Sequence, residues 1–231
     1  MYKLKHSSWN EGIILSPSAV SILALEGKEK FYSYCTQLSK TLDGDADEWV
    51  LTNIKSEAQK IAKLMYYEPN VIGMQLTSKK LQTALYKKCG TSASDSAYEY
   101  EFRKTLKLLY ELCRDISTDV GYDITLNDEY DPIDVFKLFS LEIKDEYPTL
   151  LLRLVAFINI HAEFFGIKVF SFLFLSNFLT SSDLWMLHQH CISMDICLLL
   201  IEPQMPSSRY LTDIETKILL VDEDNCEIAI N

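Results

Sequence analysis

Three short, continuous apolar runs in the last third of the chain restrict its fold more than any other feature. They read IKVFSFLFL at 167–175, ICLLLIE at 196–202 and KILLVD at 217–222. Runs of this length without strict alternation suit strands covered on both faces, as in a parallel sheet flanked by helices. A fourth run, AVSILALE at 19–26, has the same character, and Gly27-Lys28 leads from it directly into a helix near 28–40. Residues 2–6 alternate and read as a short edge strand. The stretch EWVLTN and the Lys/Glu-rich run to Met65 stay open between strand and helix. Thr180-Ser181-Ser182-Asp183 supplies a start signal for a helix after the first of the three runs.

Between these sheet elements the spacing turns helical. Thr77-Ser78 caps a helix carrying Leu81 and Leu85, and Phe102, Leu106, Leu109, Tyr110 and Cys113 continue the helical period. The small polar stretch GTSASDSA at 90–97 reads as the bend of an αα-hairpin. A short helix follows at 132–139, and a last long one from about 147 to 165 is stopped by Gly166. The expected fold class is α/β: a head of mainly parallel sheet at 1–76 and 166–231, with an inserted, extended α-helical leg at 77–165.

An apolar content of 48% is ample for a packed core and excludes general disorder. The N-terminus lacks a signal-peptide core. The most apolar stretch, 169–179, is far short of the ~20 residues a membrane helix needs. Six scattered cysteines without a CxxC pair read as buried free thiols in a reducing compartment, so a cytoplasmic protein that engages no membrane is expected.

The strand–turn–helix at 19–40 is where a nucleotide-binding fold places its phosphate loop. Here one glycine is followed by Lys28-Glu29-Lys30, with no second glycine and no terminal Lys-Ser/Thr. Cradling of phosphate by successive backbone N–H groups is therefore not expected. Ser176-Asn177, after the apolar strand, stand where working ATPases carry a metal-binding acid. No Ser/His/Asp or Cys/His set has a recognisable spacing, and His188 and His190, two apart on a helix, diverge too far to share a metal.

The net charge of −11 is unevenly distributed. Residues 79–114 hold eight basic residues against four acids, whereas 115–147 hold ten acids against two lysines. Such segregation suits one anion-binding and one cation-binding face, and it equally suits two solvated helix faces. Within the acidic block, Asp128, Glu129, Asp131 and Asp134 are the best metal candidates, because hard calcium takes six to eight oxygens. Asp131 and Asp134 flank a first helical turn, where they would also favour the helix macrodipole. The block does not match an EF-hand loop.

The blocks AVSILALEGKEKFYSYCTQL, LTSKKLQTALYK, EYDPIDVFKLFSLEI, FLFLSNFLTSSDLWML and ICLLLIEP followed by LVDED occur in order over most of the chain. With them the sequence resembles the accessory adaptation protein of type II-A CRISPR systems. That resemblance implies a head related to P-loop NTPase folds but lacking the P-loop, and a homotetrameric ring that threads double-stranded DNA ends without reading sequence. It also implies calcium held by leg carboxylates and no catalytic activity. The role is assistance in spacer acquisition, with the spacer integrase and the type II effector nuclease as partners. Pro132 and Lys137 stand where the family pattern tends to carry further acids, and Glu142, Asp145 and Glu146 are additional candidates.

A sequence-blind ring needs point charges aimed at phosphates. Candidates are Lys79-Lys80 and Lys87-Lys88, spaced near two helical turns, Arg103, Lys104 and Lys107 on the next helix, and Lys28 and Lys30 at the start of the first. Two other readings remain. One is a metal-dependent phosphohydrolase or nuclease using the 128–134 carboxylates; the other is an acidic scaffold that binds only protein.

Overall fold

The computed structural model describes residues 1–95, 97–120, 122, 124–125, 131–208 and 210–230. They divide into two compact units, one formed by 1–74 with 146–231 and the other by 75–145.

The first unit is built on a six-stranded sheet. Its strands are β3 (Val20–Leu25), β6 (Met65–Glu68), β7 (Val169–Leu173), β8 (Cys197–Glu202), β9 (Thr216–Val221) and β10 (Glu227–Ile230), in the order β10-β9-β3-β8-β7-β6. Every pairing is parallel except β10 with β9. The apolar runs account for this arrangement: β3, β7 and β8 are buried along their whole length. Each Leu, Ile or Phe so covered contributes about 1.5–3 kcal/mol.

A second, antiparallel sheet has the order β2-β1-β4-β5, from β1 (Tyr2–His6), β2 (Ile13–Leu15), β4 (Trp49–Asn53) and β5 (Ala58–Gln59). Strand β1 pairs on both sides, so it is interior and not the edge strand its short alternation predicts. The ambiguous EWVLTN stretch forms β4. Leu4, Trp9, Trp49 and Leu51 join the core beneath helix α1 (Lys28–Asp43), which buries Tyr34, Cys35 and Leu38.

Three further helices complete this unit: α2 (Ile61–Leu64), α6 (Leu150–Phe165) and α7 (Ser181–Ser193). Helix α7 opens with a full capping box between Thr180 and Asp183, and Gly166 ends α6. The sequence assigns α6 to the leg, but it falls in the first unit. The reason is its apolar face. Leu154, Phe157 and Ile158 are fully buried, and Phe157 meets the rings of Tyr66 on β6 and Phe170 on β7.

The second unit contains α3 (Lys79–Ala93), α4 (Glu99–Thr118) and α5 (Pro132–Leu138). Ser78 caps α3 by accepting the Leu81 N–H. The helix runs through Gly90 to Ala93, so the expected bend starts later than 90. Helix α4 has no buried residue at all.

Candidate functional site

At the head of the parallel sheet, only Glu26 and Gly27 separate β3 from α1. Gly27 has φ +85°, a left-handed conformation that side chains rarely adopt, so glycine suits this abrupt turn. The Phe31 N–H already donates to the Gly27 carbonyl. A two-residue connection of this kind has no loop to wrap around a phosphate. Lys28 is exposed beside it. Lys30 reaches across to the Glu223 carbonyl and to Asn225 Oδ1, so it ties the helix to the turn between β9 and β10.

The strands beside β3 decide where an acid would face this turn. The sequence places Ser176-Asn177 there, but these follow β7, and the neighbours of β3 are β9 and β8. Strand β8 ends in Glu202, the register partner of Ala24. Glu202 is only 1% exposed, and its Oε1 accepts the Ser176 N–H at 3.0 Å. Burial pushes its carboxyl above the usual carboxylate range, while bonds from Ser176 pull it down. Sequence reasoning missed Glu202, because an acid ending an apolar strand carries weight only once the strand order is known.

The basic candidates of the second unit lie on two helices. On α4, Arg103 pairs with Glu99 at 3.0 Å, Lys104 lies 3.9 Å from Glu101, and Lys107 lies 4.0 Å from Glu111. Each of these charges is offset on its own helix. Lys79, Lys80, Lys87 and Lys88 are all exposed on α3. Lys80 and Lys87, seven residues apart, lie within roughly 20° of one another around the helix axis, about 10 Å apart along it.

Of the acidic candidates, Asp128 and Glu129 lie outside the described residues. Asp131 is the N-cap of α5, its Oδ1 accepting the Ile133 N–H at 2.9 Å. Asp134 Oδ1 lies 2.8 Å from Lys137 Nζ. Asp145 accepts the Leu76 N–H at 3.4 Å, near Glu142, which lines a groove with the first turn of α3. Among the described residues no three metal-ligating side chains cluster. The described part of this block therefore does not by itself form a calcium cage.

Two further expectations meet their surroundings here. His188 Nε2 donates to the Pro17 carbonyl at 3.1 Å, while His190 pairs with Asn159 Oδ1 at 2.7 Å, so the two rings serve different partners. Cys35, Cys191 and Cys197 are buried, but Cys113 and Cys226 are exposed, contrary to the reading of uniformly buried thiols. Cys113 is exposed because the apolar stripe of α4 faces solvent. Leu109, Leu112 and Ile116 on that helix are 45%, 57% and 58% exposed.

A mainly parallel sheet whose first parallel strand turns into its helix without a phosphate loop, joined to a helical unit, defines an α/β protein of mixed architecture. Its fold is similar to that of the crystal structure of Stu0660 of Streptococcus thermophilus, with a TM-score of 0.60 and 12% identity, covering 100% of this chain and 76% of that one. Residues 42–225 match the CRISPR-associated protein (Cas_Csn2) family, and the chain belongs to it. No curated protein matches the sequence. Among the described residues no helix is long and apolar enough to cross a membrane.

Proposed function

We propose that this CRISPR-associated protein is a non-catalytic, sequence-independent binder of double-stranded DNA ends that assembles as a homotetrameric ring and assists spacer acquisition. Its partners in that role are the spacer integrase and the type II effector nuclease, and its place of work is the cytoplasm. Family membership supports the CRISPR role. The observation that carries the assembly is the bare apolar seam of α4.

Phe102, Leu106, Leu109, Cys113 and Ile116 recur at alternating spacings of four and three, the period of a coiled-coil stripe. Phe102 stacks on Phe136 at 5.9 Å, but the later members of the seam face solvent. Burying each large side chain against a second copy would contribute about 1.5–3 kcal/mol. Monomers rarely leave such a continuous stripe uncovered.

The lysines of α3 then supply the phosphate contacts, and calcium remains a proposed ligand of the acidic block in the assembled form. The two-residue turn at Gly27 supports the absence of ATP hydrolysis, since nothing there wraps a triphosphate.

A ring makes a topological demand that a surface patch does not: duplex must enter by a free end. The decisive experiment compares linear duplex with covalently closed circles of the same sequence in gel shift, and then linear duplex with both ends blocked by bulky adducts. Retention of open linear DNA alone is expected. Equal affinity for closed circles would remove the ring reading.

A further inference from the structure

Leu138 closes α5 and Phe139 follows it, and both large apolar side chains face solvent, 73% and 70% exposed. Two residues beyond Phe139 the chain becomes one wall of a groove of about 170 Å³ in the same unit. Ser140 separates the two features. Its φ of +48° is a left-handed conformation, so the chain changes direction there, and neither Leu138 nor Phe139 lines the groove. A protruding apolar pair and an apolar opening thus stand side by side. Nothing in the proposed DNA-binding role uses either.

The groove lies between the first turns of α3 and segment 141–143. Its apolar walls are the buried Leu76 and Leu81 and the half-buried Leu85, Leu141 and Ile143. An apolar cavity of about 150 Å³ takes a benzene molecule, so this groove has room for one phenyl ring. Its two walls carry opposite charges. Lys79 is exposed on the α3 side and Glu142 on the facing segment.

The occupant must bring an aromatic ring and must meet those two charges with the opposite signs. A second copy of this chain does both. In a two-fold contact the same patch serves on both sides, and a residue on one flank of the axis faces the residue on its other flank. Lys79 of one copy then meets Glu142 of its partner, and the reverse, while each Phe139 reaches the neighbouring groove. The ring and the groove are close together in the chain, so one two-fold axis serves both exchanges. A chain of net charge −11 repels its own copies over much of its surface, and an apolar patch bearing one charge of each sign is where they can meet. We propose that two copies of this chain dock through this patch, the Phe139 ring of each filling the groove of the other. Of the four lysines of α3 only Lys79 lines the groove, so the contact leaves Lys80, Lys87 and Lys88 to phosphate. It uses no residue of the α4 seam.

The test replaces Phe139 of the full-length chain with the photoreactive p-benzoylphenylalanine. After irradiation the products are separated on a denaturing gel and the adduct is mapped by mass spectrometry. A covalent dimer is expected, with its adduct within residues 76–85 or 141–143. Glu142→Lys in the photoreactive chain should lower the dimer yield several-fold, and adding Lys79→Glu should restore it, because the swap re-forms both ion pairs with the signs exchanged. All three positions are exposed, so circular dichroism should show an unchanged fold. A groove adduct confined to the monomer band would mean that Phe139 folds into its own groove. No groove adduct at all would leave the groove to a different partner. Either result, a dimer yield indifferent to Glu142→Lys, or a charge swap that restores nothing would overturn the proposal.

Discussion

Gly90 on α3 lies directly against Ile133 on α5: a Cβ built on the glycine would stand 2.8 Å from the isoleucine Cγ1. That contact lets a glycine persist inside a helix, where it costs roughly 1 kcal/mol relative to alanine. Replacing Gly90 with valine should drive the helices apart and destabilise the second unit by about 1–3 kcal/mol, the usual cost of overpacking. Denaturant unfolding followed by circular dichroism checks this. Unaltered stability would mean that the two helices do not pack at this point.

The seam of α4 makes a different kind of claim. Leu109 and Ile116 are exposed, so changing both to lysine should leave the helical content of the chain intact. Size-exclusion chromatography with light scattering should nonetheless show smaller species than the parent protein. An unchanged assembly would require another surface to hold the copies together.

For DNA, the two groups of basic residues should behave unequally. Reversing Lys79, Lys80, Lys87 and Lys88 to glutamate should weaken duplex binding across all sequences and flatten its salt dependence by roughly one unit of slope per lost contact. Reversing Arg103, Lys104 and Lys107 should also weaken binding, by less per residue than reversing Lys79 and Lys87, because each lies within ion-pairing reach of an acid on its own helix. Affinities measured over a salt series separate the two sets. Equal losses would show that the pairs on α4 open to reach phosphate.

The acidic block is tested by a substitution that spares the cap. Asparagine is as good an N-cap as aspartate, so Asp131→Asn keeps α5 while removing a charge, whereas Asp131→Ala loses about 1 kcal/mol of helix stability. With calcium bound in the assembled form, chelator and the double change Asp131→Asn, Asp134→Asn should both shift the sizing profile toward smaller species. A profile insensitive to both would assign these two residues to capping and to the ion pair with Lys137 alone.

His6 and His188 give the pH dependence. Both are held below the ordinary histidine value of 6.5, in each case mainly by burial; the Gln37 bond to His6 and the Pro17 carbonyl beside His188 oppose the shift. Their neutral forms fit the fold, so their contribution is complete above pH 6.5 and is lost as pH falls from 6.5 through the depressed folded values. NMR titration of the ring protons should place both midpoints below 6.5. Between pH 7.5 and 5.5 the parent protein should also lose more stability than His188→Gln, which has no proton to gain.

Strands β3, β7 and β8 were legible because they are buried along their whole length. Runs such as 167–175 and 196–202 have no polar face to offer water, so they must be covered on both sides wherever they stand in the chain. The helix starts at Ser78 and Thr180 and the stop at Gly166 were equally legible, since capping is a local matter settled within four residues. The spare turn at Gly27 could be read in the same way.

What local sequence cannot encode is which elements become neighbours. Strand β8, and not β7, lies beside β3, and that order alone turns Glu202 from the last residue of an apolar run into a buried acid at the head of the sheet. Helix α6 joined the sheet unit instead of the leg because Tyr66 and Phe170, far apart in sequence, meet around Phe157. The stripe on α4 carries the same apolar spacing as a core helix, and only the packed structure shows that Leu109, Cys113 and Ile116 stay exposed among the described residues. Spacing and composition determine how each segment folds locally; the burial of a particular charge, ring or stripe depends on contacts between segments far apart in the chain, which only the tertiary structure supplies.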